Sequence, residues 1–498
     1  MPHPAPQPPA YPPPATAPAK KRSSRLGIII GGVVALVLIG CVAAVALFLF
    51  RGAPDPAKAL PADADLVVTL DLNPSNAKKL EIYQFLTRFP SLKEQLSSEE
   101  EFSTDPRKAI WKATFGQNSD IDYDAEIKPW LGDSVGVAIR NAPGSAKPAV
   151  VTAVHATSPE QGREFFRKRD ANSQVSVAGN FVIIASGDGA AELAESAKTK
   201  PLSSSKTYAD DMKHVGDGMI TAWAGESLVP ALSQRSGVNV PSHATQVRGA
   251  LSLDISATNT EVKLWHTTGQ SLPSRDVREL VGSLPGDRTW SVAAASFNET
   301  MVADMYAAVK PLLGRDLEQA AKSLGLTLPT DLATLFGDET ALVGYLAHQG
   351  QGEPSAKNGY ALALVSRSSD TNKQLQLWSK LLTGFERNGV PLGLVPVVEG
   401  DRLGVATSEQ ELRPLLAPSG APLANDESYR GAVDTAAPAY AIVYLDMVKF
   451  LDVQAAISAQ FGQPFRVPED LRAIRAVGLT FSRIDDRSAT ITMKVQVR

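Results

Sequence analysis

The polarity pattern of this chain changes character three times. Residues 1–19 carry nine prolines and no charged side chain. Residues 27–50 follow as 24 consecutive uncharged positions, GIIIGGVVALVLIGCVAAVALFLF. At about 1.5 Å per helical residue this run extends roughly 36 Å, enough to cross a hydrocarbon layer of about 30 Å with some tilt. From residue 60 onward the pattern is that of a globular protein. Short runs of alternating or β-branched apolar residues, such as 66–72 and 290–297, predict strands, and longer amphipathic stretches between them predict helices.

Lys20, Lys21, Arg22 and Arg25 precede the apolar run, while only Arg51 and Lys58 lie close after it. On the positive-inside bias this predicts a single-pass plasma-membrane helix, with the N-terminus cytoplasmic and the C-terminal domain outside. Two alternatives exist. The run exceeds the 7–15 apolar residues of a signal peptide. Leu38-Ile39-Gly40-Cys41 has the form of a lipobox, but nine apolar residues follow Cys41 where a lipoprotein continues into polar linker. Residues 1–26 then read as a Pro-rich cytoplasmic tail with a basic end, 27–50 as the membrane helix and 51–59 as a linker.

The remainder reads as a tandem duplication, with units 60–270 and 284–498 joined by 271–283. Leu60-Pro61-Ala62-Asp63 reappears as Leu284-Pro285-Gly286-Asp287, and Trp130-Leu131-Gly132-Asp133 as Leu335-Phe336-Gly337-Asp338. At a constant offset of 221 residues Gly179 meets Gly400, Ala185 meets Ala406, Pro201 meets Pro422, Leu202 meets Leu423 and Tyr208 meets Tyr429. Hairpin-like strands with interspersed helices predict an α+β fold: one N-terminal transmembrane helix, then two repeats of mixed, mostly antiparallel sheet with helices.

Composition narrows the function. In residues 52–498, 44 basic residues face 53 acidic ones, a net charge of −9. That excludes nucleic acid as the expected partner, since such binding rests on a basic face. The only cysteine is Cys41, so residues 52–498 have no disulfide, no thiolate metal site and no cysteine nucleophile.

Candidate chemistry fails on inspection. Gly132-Asp133 and Gly337-Asp338 match a glycine C-cap followed by an aspartate turn. Asp120, Asp122 and Asp124 open like a calcium loop, but Ala125 stands where Gly is needed and Leu131 where Glu is needed. His155, His214, His243, His266 and His348 show no metal-ligand spacing. The turns 186–189 and 141–144 are not phosphate cradles, and no G-x-S-x-G elbow occurs. No residue is therefore assigned as catalytic, cofactor-binding or metal-ligating, and no cofactor is expected.

The Pro-rich tail, the apolar run, LPADADLVVTLDLNPS, the WLGD turn and the duplicated domain together resemble an uncharacterised family of actinobacterial single-pass membrane proteins, filed as a domain of unknown function. The resemblance implies an envelope protein and supplies no active residues. The expectation is a non-enzymatic, membrane-anchored binding or scaffold protein of the bacterial cell envelope, with an envelope protein, wall polymer or lipid as partner. The alternatives are a carrier or sensor of a lipid or other apolar ligand, and an envelope hydrolase or transferase.

Overall fold

The computed structural model describes residues 54–498, apart from 95, 97–101, 103, 109–120, 142–143, 170–171, 237–246, 270, 314–315, 348–358, 419 and 463–464. The Pro-rich tail and the expected span at 27–50 lie outside the described residues.

Strands form where apolar residues alternate. In the first half they are β1 (Leu66–Asp71), β2 (Leu131–Arg140), β3 (Ala149–Ala156), β4 (Gln174–Ala178), β5 (Phe181–Ser186), β6 (Ile220–Ala224), β7 (Gly249–Ile255) and β8 (Asn259–Thr267). In the second they are β9 (Thr289–Ser296), β10 (Glu339–Leu346), β11 (Tyr360–Arg367), β12 (Val395–Glu399), β13 (Arg402–Ala406), β14 (Ala439–Asp446), β15 (Ile474–Asp485) and β16 (Ser488–Val497). All sixteen belong to one sheet, in the order β12-β13-β11-β10-β9-β14-β15-β16-β8-β7-β6-β1-β2-β3-β5-β4. With β1–β8 matched to β9–β16 in sequence order, the list reads the same from either edge. Its centre is the antiparallel pair β8/β16, where Val262 faces Met493 and Lys263 faces Thr492.

The expected fold is corrected on two points. The protein is α+β, but no helix among the described residues is long and apolar enough to cross a membrane. The longest, Thr371–Arg387, has 17 residues and carries Lys373, Lys380, Glu386 and Arg387. At about 1.5 Å per residue it falls short of a bilayer core. The sheet is also neither mixed nor divided between two repeats. Every pairing between the named strands is antiparallel, and the two halves share one ladder, because β8 and β16 would otherwise each leave an unpaired edge.

Helices cover both faces. On one face Val67, Val151, Phe181, Ile183 and Trp223 pack against Leu193 and Leu202. The second half builds its counterpart from Val292, Val343, Val365, Tyr444, Leu415 and Leu423. On the opposite face of the first half, Ile82 and Phe85 of the helix Asn76–Leu86 pack with Phe102, Tyr123, Ile127 and Trp130.

The repeated Leu-Pro motifs fasten the chain to the sheet twice over. Leu202 N–H donates to Leu60 O at 2.7 Å, and Leu423 N–H to Leu284 O at 2.7 Å. Pro61 bridges to Pro201, and Pro285 to Pro422. The leucines at 60, 202, 284 and 423 are fully buried.

Candidate functional site

The two glycine-aspartate turns each carry a cluster of charges. In the first half Asp133 follows Gly132 at the start of β2. Its Oδ1 accepts from Asn73 Nδ2 at 2.9 Å, and its backbone N–H donates to His155 Nδ1 on β3 at 2.9 Å. Arg107 holds the cluster together. Its Nε donates to Asp105 Oδ1 at 2.8 Å, its Nη1 donates to Leu131 O at 2.8 Å, and that same nitrogen stands 3.8 Å from Asp133. The Tyr123 hydroxyl donates to the other oxygen of Asp105 at 3.0 Å.

Burial dominates the electrostatics here. It lowers the pKa of Lys79, against the opposing pull of Asp105 and Asp133. It lowers His155 as well, with Asp133 opposing, and raises the Tyr123 hydroxyl. A buried lysine beside carboxylates has the composition of a general base. Reach is another matter: neither of the two largest clefts described below is lined by Lys79, Asp105 or Arg107.

The second-half cluster uses different residues. Asp338 accepts from Ser369 N–H at 2.8 Å and pairs with Arg275 at 3.3 Å. Arg367 lies among Glu279 at 3.1 Å, Asp401 at 3.1 Å and Glu339 at 3.7 Å. Glu339 is buried, its Oε2 has no hydrogen-bond partner, and burial raises its pKa despite Arg367. The first cluster brings opposite charges together inside the fold, whereas in the second only Glu339 and Arg367 are largely covered and Arg275, Glu279 and Asp401 reach solvent. Both arrangements are suited to holding strand ends and the preceding loops in register.

The residues singled out in the sequence behave as turns and caps. Gly337 has φ +69°, and its N–H bonds to Ala333 O, as a C-cap requires. Gly132 departs from that reading. It sits in β2 without a left-handed φ, and a Cβ there would meet His155 Nδ1 at 2.1 Å. Asp122 caps the segment Tyr123–Ile127, Asp124 pairs with Lys108 at 2.5 Å, and Asp120 lies outside the described residues. Among the described residues no group of three metal-ligating side chains converges. His214 stacks on Trp265 at 4.7 Å, His266 Nδ1 contacts Thr267 O at 3.2 Å, and His243 and His348 lie outside the described residues. Asp188 accepts from the N–H groups of Ala146 and Lys147, which ties the turn at 186–189 to the segment that follows 141–144, of which 142 and 143 lie outside the described residues.

Open space lies elsewhere. One cleft of about 700 Å³ is lined by Thr69, Asp71, Ser134, Tyr208, Asp217 and Thr221 among others. Two more, of about 530 and 750 Å³, share Ser176, Ala194 and Glu195, and so form one groove between edge strand β4 and the helix Ala190–Thr199. Lys58 and Lys198 stand at one end of the groove and Arg167 at the other.

Among the described residues the equivalent place in the second half is filled. There the helix Glu409–Leu416 packs on β12 and β13 with Leu412, Leu415 and Leu416 buried. Gly404 of β13 makes room for Leu412 and Leu416, since a Cβ at that position would meet them at 2.8 and 3.1 Å. By hairpin register the position of Gly404 is that of Ile183 in β5. The larger Ile183 side chain takes that space, and the helix Ala190–Thr199 settles instead over β3 and β5, away from β4.

Asp133 and Asp338 stand in the repeated glycine-aspartate turns, and Gly179, Ala185 and Pro201 of the groove in the 221-residue repeat, but those patterns mark turns and duplication and not a cluster or a groove. Lys79, Asp105, Asp133 and His155 are dispersed along the chain without ligand or catalytic spacing. The one available signal for the groove was the replacement of leucines by alanines between the two units.

No curated protein and no solved structure matches the chain. Residues 29–210 match the model of a family described as "Protein of unknown function (DUF3352)", which agrees with the resemblance to an uncharacterised-domain family and reaches from before β1 into the helix Lys206–Lys213, taking in both the first charged cluster and the groove along β4.

Proposed function

We propose that the protein is a binding or scaffold module, not an enzyme, and that its partner is held in the groove between β4 and the helix Ala190–Thr199. One observation carries this reading. The groove is open in the first half, while the equivalent place in the second half is filled by the protein's own leucines. A site that one copy of a fold closes internally and the other leaves open is suited to being closed by another molecule. The charged clusters support the same reading, because their acids and bases serve as partners to one another.

The test is photo-crosslinking. The full chain, expressed in its own host, carries a photoreactive residue at Ala194 in the groove or, as control, at Ala417 after the equivalent helix. A discrete adduct from position 194 alone is expected. No adduct, or the same adducts from both positions, would remove the basis for a binding role at this site.

A further inference from the structure

A sheet edge exposes a row of unpaired backbone donors and acceptors, and proteins usually protect it. The two edges of this sheet are protected differently. β4 and β12 occupy equivalent hairpins, each closed by a two-residue turn. Gly179 and Asn180 form one, Gly400 and Asp401 the other, with the glycines at φ +57° and +61°. In such a hairpin the residues flanking the turn bond to each other, here Ala178 with Phe181 and Glu399 with Arg402. Alternation along the strand then decides which amides face outward. In β12 these are Val398 and Pro396, and the proline has no N–H to offer. In β4 the same two positions are Val177 and Val175, whose N–H and C=O groups all point away from β5.

Among the described residues no strand pairs with this edge, and the groove lies beside it. The side chains of Ser176 and Ala178 form its outer floor, and Ala191 and Ala194 form the facing wall. Where they leave space, the second half has Val397 packed against its core and Leu412 and Leu416 buried. The missing material is therefore aliphatic, and the free groups at the edge are backbone groups. The rim charges are mixed, with Lys58 and Arg167 at the ends and Glu192 and Glu195 along the helix.

We infer that the groove takes an extended peptide segment of a partner protein, which adds to β4 as a seventeenth strand and sets aliphatic side chains against Ala191 and Ala194. The inference rests on the binding role proposed above and names the partner's chemistry. Recognition divides as in other strand-addition complexes: main-chain hydrogen bonds to Val175 and Val177 hold the segment, and the pocket selects its alternate side chains. The chain's own residues 1–19 are a poor occupant, because nine prolines interrupt their N–H series.

The probe is a phage-displayed decapeptide library selected on the full chain. Selected peptides are expected to carry an aliphatic residue at every second position and no central proline. A synthetic consensus peptide should slow hydrogen exchange of the Val175 and Val177 amides by about tenfold or more, and Val175→Pro should weaken it by about tenfold. Because the Val175 side chain is buried, that variant is checked for folding. Ala194→Lys, at a half-buried position on the groove wall, provides the second test with the same expected loss. A peptide that binds without protecting those amides, and that binds a folded Val175→Pro variant normally, would overturn strand addition. Failure of the library to yield a binder would overturn it too. In either case an adduct from the Ala194 photo-crosslinker leaves the binding role standing, whereas its absence ends both.

Discussion

Replacing Gly132 by alanine tests how tightly the first charged cluster is built. The new Cβ would lie 2.1 Å from His155 Nδ1, 2.7 Å from Cγ and 2.8 Å from the backbone carbonyl carbon. Moving the ring is not enough, since the backbone of β3 is also in the way. Either β2 and β3 spread locally or the imidazole leaves, and in both cases the Asp133 N–H loses its 2.9 Å acceptor. Overpacking of this kind costs about 1–3 kcal/mol. Stranding a buried donor costs about 1–3 kcal/mol more, and the two overlap. A loss of roughly 2–4 kcal/mol is expected in urea unfolding followed by tryptophan fluorescence. Gly179→Ala is the control. Its left-handed φ of +57° is strained for alanine, but a Cβ there meets nothing within 4 Å, so it should cost only about 1 kcal/mol. In a His155→Ala background Gly132→Ala should cost less than in the native chain, because the ring contact is gone and the backbone contact remains. The reasoning is refuted if Gly132→Ala destabilises no more than Gly179→Ala.

Stability should fall between pH 7 and pH 5. Burial holds His155 and His266 below the usual imidazole value, so the unfolded chain takes up protons near about pH 6.5 that the folded chain refuses, and stability present above that pH is lost as it falls. The urea midpoint across this range gives the slope, and His155→Gln should reduce it. Glu339 has the opposite sign. Its raised pKa means that its contribution is full below the unfolded value and is lost as pH rises through the folded one. Glu339→Gln should therefore compare more favourably with the native chain at pH 7 than at pH 4; an equal difference at both pH values would count against it. Asp211 is buried, accepts from Trp223 Nε1 at 3.0 Å and pairs with Arg248 at 3.0 Å. Asp211→Ala strands the buried Trp223 indole N–H and leaves Arg248 only Glu226, at 3.1 Å, and should cost about 2 kcal/mol in the same unfolding assay, while Asp211→Asn, which can still accept from the indole, should cost less.

Local features of the fold were legible in the sequence because they depend on neighbours in the chain. The alternation in 149–156 and the apolar run in 181–186 mark strands, and the α+β character follows from the amphipathic stretches between such runs. The Leu-Pro motifs were visible as repeats, although nothing in them indicated that Leu60 and Leu202 would share a hydrogen bond. The sheet's continuity was not legible. β8 and β16 pair across more than two hundred residues, and β8 alternates like any strand with one covered face, whether it ends a sheet or lies in its middle. The expected membrane helix falls on residues outside those described, and the described helices do not supply one. The charged clusters escaped because pairs such as Asn73 with Asp133, or Arg367 with Asp401, become neighbours only once strands are laid side by side. Local sequence makes Gly132 a turn glycine; its real constraint is an imidazole from the adjacent strand.

The nine-residue ladder between β8 and β16 also governs how far apart the two outer edges of the sheet stand. Two halves joined by a flexible tether could swing, and the distance between their outer edges would vary. Here the joint is made of the same backbone hydrogen bonds as every other interval in the sheet. Fifteen such intervals of about 4.8 Å set β4 and β12 roughly 70 Å apart along the sheet. The duplicated fold is thus one continuous span: the open edge at β4 keeps a set separation along the sheet from the proline-guarded edge at β12.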